Sequence, residues 1–586
     1  MKRTIKLDGW GKCAVALVLL AGIAACGGGG DSRTVSSMLP ATPGDPNGIS
    51  SSSGSSGASS SFGPITPAPG PSTASFVVPQ CTSCSAVSAT QYSGSGTGVW
   101  SVTNSGTALE QVPVSISGLK GQTVQLVFSN LSTSTADTTS LSALLPASGG
   151  GTANAQIKHS ATAAGTSMAA ITEFNHSGFV ALLQPRVAGG GAVARTAVTP
   201  PNSFALNSAR QWYDKDGTVR NTTLVRQGTT GDGTIVDLWV EDSENVSGKV
   251  TPAIEDSLFS NYTRTGGVYD ILTSIGGPLW GPVTRYNTVI PSNQPINLVV
   301  LNFDHNQQPG GLVGYFYSLN NFIPNTTATA LSNGAIALFL DSETMYLAGT
   351  AGMTSITTVM AHESTHMQNF YRRDMLAGAN FAYDTWLEEQ TAMMMEDWAS
   401  LNLSTTYNNV RDLRAPNYVQ EGSYNCSAIN FDVARATCDS YSVNGTFGGF
   451  LNRQLGLAFY KDLLYRVDSV DSPTLLNESI MAANPSTSFA DAFKRFSVTM
   501  GALIPAANAP AGYNFPARSE GGFTLPAIDP STFTSLLTTA AGTVTTSAPT
   551  TINAFATLPI TRAKGTGTYS DDVPVPPGVA VSVVIY

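Results

Sequence analysis

The segment Thr357-Thr-Val-Met-Ala-His362-Glu363-Ser-Thr-His366-Met-Gln-Asn-Phe370 decides how the rest of the chain is read. It contains H-E-x-x-H in a helical context. Val359, Met360, Met367 and Phe370 supply apolar faces, and Thr354 or Ser355 is placed to cap the helix start. Side chains four apart on a helix lie one turn apart on one face, so both imidazoles can reach a single metal ion. Glu363 then points at the open coordination position, where a general base belongs. The plain alternative is two ordinary histidines on a partly buried helix. With only five His in 586 residues, chance rarely produces this spacing.

A second element follows at Asp384-Thr385-Trp386-Leu387-Glu388-Glu389-Gln-Thr-Ala-Met393-Met-Met-Glu396-Asp397. A catalytic zinc site takes three protein ligands and keeps one position open. No histidine occurs after His366, so the third ligand is expected to be a carboxylate, Glu388 or Glu389. Thr385-x-x-Glu388 has the form of a capping box, which would turn Glu388 back to the helix start. That favours Glu389, with 22 residues between it and His366. Glu396 either orients a ligand imidazole from behind or, with Asp397, is a solvated carboxylate late in a helix.

Working outward, strand-like runs precede the H-E-x-x-H helix at Ile235–Val240, Ile296–Phe303, Leu312–Tyr317 and Ala335–Leu340. Asp216-Gly217 and Asp232-Gly233 predict hairpin turns, and Asp214-Lys-Asp-Gly217 reads as a turn before a calcium loop. Helical patterns are expected at 354–373, 385–399, 448–466, 473–483 and 487–502. Both flanks look β-rich. Residues 77–204 carry short alternating runs between Gly/Ser turns and predict a small β-sandwich, and 509–586 end in Val579-Ala-Val-Ser-Val-Val-Ile585 as a C-terminal β domain.

Composition narrows the function classes. Lys and Arg number 29 against 39 Asp and Glu, and charged residues make up 12%. Such a surface cannot neutralise many phosphates, so no nucleic-acid partner is expected. No apolar run reaches the length of a membrane span. The first 25 residues have a basic start and a short apolar stretch, which predicts a secretory signal. Ile23-Ala-Ala-Cys26 resembles a bacterial lipobox, implying acylation of Cys26 and, with Gly27 following, an address at the outer membrane or cell surface. Residues 26–76, rich in Gly, Ser and Pro, read as a tether. Cys81, Cys84, Cys426 and Cys438 remain in an oxidising compartment, with local pairs Cys81–Cys84 and Cys426–Cys438 the simplest pairing.

H-E-x-x-H followed by Trp386-Leu-Glu-Glu389 resembles the gluzincin metallopeptidases. The fuller set resembles the hyicolysin-type neutral metallopeptidases: Gly314-Tyr-Phe316, Ala337-Leu-Phe-Leu-Asp341, Ala361 to Phe370, and Gly448-Gly-Phe-Leu451. Glu388 and Gln390 depart from the usual Asn and Gly of that pattern, and no G-x-M-E-N exopeptidase signature precedes the helix. The resemblance covers roughly 205–510. It implies an α+β, zincin-like catalytic domain over 205–508, a mixed sheet with a helical second half, flanked by the β domains. It also implies one Zn2+ held by His362, His366 and Glu389, Glu363 as general base, and protein or peptide substrates. Tyr441 stands where similar gluzincins place a catalytic Tyr, with Tyr418 and Tyr424 as alternatives, and His305 reads as a loop histidine. The expected reaction is hydrolysis of internal peptide bonds. The rival readings are an inactive surface lipoprotein serving as an adhesion or carbohydrate-binding module, and an exopeptidase on the same scaffold. Residues 77–200 could also serve as an inhibitory pro-region.

Overall fold

The computed structural model describes residues 76–79, 84–144, 152–154, 163–185, 204–538, 544–545 and 549–586. The expected signal peptide, Cys26, nearly all of the tether, and Cys81 lie outside these residues. The chain mixes helices and strands in the proportions of an α+β protein.

The four strand-like runs fold as expected into one mixed sheet. Its strands are β3 (Ala209–Tyr213), β4 (Val219–Thr229), β5 (Ile235–Glu241), β6 (Ile296–Leu301), β7 (Gly314–Phe316) and β8 (Ile336–Asp341), in the order β7-β8-β6-β5-β4-β3. β5, β6 and β8 run parallel at the centre, and every residue of β6 and β8 is buried. That matches their unbroken apolar sequences, because a parallel sheet is covered on both faces. The two Asp-Gly pairs turn as predicted, with Gly217 and Gly233 at φ 73° and 86°. Asp214 Oδ1 accepts the N–H groups of Asp216 and Thr218, which makes that segment a turn.

β7 is the edge strand, antiparallel to β8 and buried along its length. Helices α2 (Pro252–Thr263), α3 (Val268–Gly276), α4 (Ser342–Leu347) and α5 (Gly349–Asn369) cover one face of this sheet. The other face is closed by aromatic packing, with Trp212 on Trp239 at 6.0 Å and Tyr315 stacked on Phe339 at 4.7 Å. α5 begins at Gly349, earlier than a Thr354 or Ser355 cap would set it. Asp341 caps α4 instead, and Gly352 lets α5 pass so close that a Cβ there would sit 2.0 Å from the Thr344 carbonyl oxygen. After Asn369 the helix continues as π-turns over Phe370–Ala377.

The helical half comprises α6 (Thr385–Leu403), α7 (Ala415–Gln420), α8 (Ser440–Leu455), α9 (Leu457–Tyr465), α10 (Ser472–Ala483) and α11 (Phe489–Gly501). The single helix read at 448–466 is two, broken at Gly456. Its φ of 89° is left-handed, and a Cβ there would meet Glu520 Oε2 at 2.5 Å. Cys426 and Cys438 form the expected disulfide, with Cα atoms 5.6 Å apart.

The flanks depart most from expectation. β2 (Glu110–Asn130) pairs along its length with β9 (Thr557–Val575), and β10 (Val579–Ile585) lies between β1 (Gly98–Thr103) and β2. The N- and C-terminal β regions therefore build one shared sheet and core in place of two separate domains: Val112, Leu126 and Phe128 pack with Val573, Val581 and Val583. Within 509–538, Ala509 and Tyr513 pack on the other face of that sheet with Val99, Val127 and Val584. Phe515, Phe523, Leu525, Ile528 and Phe533 pack into the main core. The region expected as β-sandwich also contains a helix, α1 (Ala163–His176). Met168, Ile171, Thr172 and Asn175 recur there at helical spacing.

Candidate metal centre

α5 and α6 pack side by side, and the helical period decides which side chains meet between them. The rings of His362 and His366 come together edge to face with centroids 4.7 Å apart. Glu389 faces them from α6. Its Oε2 lies 3.2 Å from His362 Nε2 and 3.8 Å from His366 Nε2. One ligand atom from each residue falls within 4.8 Å of the others. Two ligands of a tetrahedral zinc, each roughly 2.0–2.1 Å from the ion, stand about 3.3 Å apart, so this spacing is that of a ligand set.

What stands behind each imidazole strengthens the fit. His366 Nδ1 is 2.9 Å from Glu388 Oε1, and His362 Nδ1 is 3.3 Å from Glu396 Oε1. Both rings thus turn Nε2 toward Glu389 and Nδ1 toward a carboxylate, the backing that metal-bound histidines need to fix tautomer and raise basicity. Burial alone would lower the His362 pKa, but Glu389 and Glu396 overcome it and hold the pKa well above the ordinary value. Burial likewise raises Glu389, and its hydrogen bond to His362 reverses the sign. Three carboxylates round one fully buried and one largely buried imidazole form a pocket that favours positive charge.

Glu388 does not form the expected capping box. α6 starts at Thr385 with Asp384 as N-cap, which puts Leu387 at the third position and Glu388 one step past it. Glu388 reaches His366 instead and accepts two 3.1 Å hydrogen bonds from Asn369 Nδ2. Glu396 is fully buried, with Arg414 Nη2 at 3.4 Å from its Oε2. Asp397 is also buried, paired with Arg453 at 2.8 Å, so neither is a solvated carboxylate.

Glu363 projects from the same helix onto the edge strand, where its Oε2 accepts the Phe316 N–H at 2.9 Å. Burial pushes its carboxyl above the usual range, while His362 and His366 pull it back. Glu363, His366, Glu388 and Glu389 face one cavity of about 40 Å³. Asp374 also lines it, its carboxyl pushed well above the usual range by burial and by the nearby Glu388.

Other candidates sit elsewhere. Tyr441 is buried in the first turn of α8, edge-on to Phe431 at 4.8 Å and 5.6 Å from the Arg414 guanidinium, away from the walls of that cavity. Tyr418 and Tyr424 pack on each other at 5.1 Å in the main core. His305 is in a loop, 2.7 Å from Arg220 Nη1. The residues missed by sequence reasoning come from α1: Met168, Ile171, Asn175 and His176 all line the cavity. Their helical spacing within an Ala-rich stretch was the available signal.

The family described as Peptidase M30 matches residues 216–586. A domain of unknown function (DUF8571) matches residues 79–143. No curated protein matches the chain. The first match spans more than half of the sequence, and the chain belongs to the peptidase M30 family, a family of zinc metallopeptidases. The match runs through β9 and β10, beyond the point near residue 510 where the motif resemblance stops.

Proposed function

We propose that this member of the peptidase M30 family is an endopeptidase whose zinc is held by His362, His366 and Glu389, with Glu363 as general base. The observation that carries this reading is the convergence of two Nε2 atoms and one carboxylate oxygen, with both Nδ1 atoms backed by Glu396 and Glu388 and Glu363 on the same cavity. Zinc bound there would supply Lewis acidity toward a scissile carbonyl and toward water. Glu363 takes the proton from the attacking water and returns it to the leaving amine. The Phe316 N–H fixes the Glu363 carboxylate at the end of the edge strand, where the backbone of a substrate would run.

Tyr441 takes a positioning role in this scheme. Its ring lies against Arg414, which pairs with Glu396, which backs His362. The sequence further supports export and a lipid on Cys26, which would hold the enzyme at the outer membrane or cell surface. Turnover of an end-blocked peptide library tests the reading: Glu363→Gln should keep its zinc and lose nearly all hydrolysis. Retained turnover in that variant would remove Glu363 from the role, and cleavage only of peptides with a free terminus would indicate an exopeptidase.

A further inference from the structure

The cleft already has an occupant. Phe316 ends edge strand β7 and turns both backbone groups outward, its N–H to Glu363 and its C=O to Asn175 Nδ2 at 2.8 Å. Asn175 Oδ1 in turn accepts the Ser318 N–H at 2.8 Å. A carboxamide carries the same donor and acceptor as a peptide group. Asn175 therefore fills the two hydrogen-bonding positions that an extended backbone would use when added to this edge.

The segment around Asn175 is docked at several further points. Phe174 packs edge-on against Tyr317, and Phe179 against Phe370, each at 5.2 Å. His176 Nδ1 lies 2.8 Å from the Tyr383 carbonyl oxygen, and the Asn287 N–H reaches the Gln184 carbonyl at 3.2 Å. With α1 in place the cavity at Glu363 and Glu389 is about 40 Å³. A water needs about 10–15 Å³ of such space, so the cavity has room for a few waters and none for a peptide.

We propose that α1 is an internal stand-in for substrate: it blocks the cleft with Asn175 on the edge of β7, and an extended peptide docks through its backbone at Phe316 and Ser318 once α1 leaves. The peptide identity of the ligand rests on the peptidase reading above, whereas the blockage follows from the geometry alone. Apparent affinity equals intrinsic affinity scaled by the fraction of molecules with the cleft open. Any change that weakens α1 docking without touching the edge strand must therefore tighten peptide binding.

The test uses the full chain, zinc-loaded, in a Glu363→Gln background, with an end-blocked, fluorescently labelled peptide pool and anisotropy as readout. Adding Asn175→Ala removes two hydrogen bonds from α1, and affinity should rise about tenfold, equivalent to about 1.4 kcal/mol of docking. Phe174→Ala, which loses the Tyr317 contact, should move affinity in the same direction and serves if the first variant folds poorly. With Glu363 intact, turnover at low substrate should rise by the same factor. Unchanged or weakened binding in both variants, or no binding by any of these chains, would overturn the proposal and make α1 a plain structural wall. Should the peptidase reading fail, hydrolysis would be absent from every chain while the gain in binding remained.

Discussion

Replacing Glu396 by Gln keeps the side-chain volume and removes one charge from behind His362, a proposed zinc ligand. The His362 ring has no solvent exposure, and neither has Glu396. Water therefore cannot take over the place at Nδ1, 3.3 Å from Glu396 Oε1. Loss of such a partner typically costs about 10–100-fold in metal affinity. Full burial puts Glu396→Gln in the upper half of that range, roughly 30–100-fold or about 2–3 kcal/mol. Glu388 backs the other imidazole with 25% of its side chain exposed, so solvent can substitute. Glu388→Gln should cost about tenfold or less. Glu396→Gln also strips Arg414 of its buried partner. Breaking a buried pair costs about 3–5 kcal/mol, and Asn409 Oδ1, still 3.1 Å from Arg414 Nε, keeps the loss near the lower end. Chelator competition would give zinc affinity, and thermal unfolding of metal-free chains would give the stability change. An Glu396→Gln chain that binds zinc as tightly as the parent would refute the reasoning, as would a larger loss from Glu388→Gln.

Two further predictions concern buried carboxylates away from the metal ligands' own chemistry. Asp397 takes Arg453 Nη1 at 2.8 Å and Nη2 at 3.2 Å across α6 and α8, fully buried, so Asp397→Ala should cost about 3–5 kcal/mol in urea unfolding, and a loss under about 1 kcal/mol would show the pair to be dispensable. Asp341 caps α4 but burial pushes its pKa from 3.8 to about 7. The native state then keeps a proton that the unfolded chain has released. Stability is greatest below the unfolded pKa and falls as pH rises toward 7, by about 4 kcal/mol at most. Asp341→Asn should flatten that fall, so its advantage over the parent in urea midpoint should grow from pH 4 to pH 7, and a shrinking advantage would contradict the assignment.

Much of the centre was legible because it is local. His362, Glu363 and His366 share one helix, and a 3.6-residue period fixes which of them face together before any tertiary contact forms. The capping box that would separate Glu388 from Glu389 in sequence does not form, since Asp384 is the N-cap of α6. The register of α6 against α5 gives Glu388 to His366 Nδ1 and Glu389 to both Nε2 atoms. A one-residue shift in the helix start exchanges a capping role for a backing role, and no local pattern resolves that step. Tyr441 was placed by resemblance alone, and its position against Phe431 and Arg414 depends on how α8 packs.

By itself the sequence determined four of the six strands of the central sheet, the H-E-x-x-H helix with both imidazoles on one face, and the Cys426–Cys438 pair. Each follows from periodicity, residue chemistry or close spacing, which act over a few turns of chain. Tertiary structure alone decided that β2 joins β9 and β10 across more than 400 residues, and that α1 lies over the cavity at Glu363 and Glu389 with Asn175 on the strand edge. A free strand edge and an Asn carboxamide carry no address in sequence. They find each other only when the folded chain brings donor and acceptor into register.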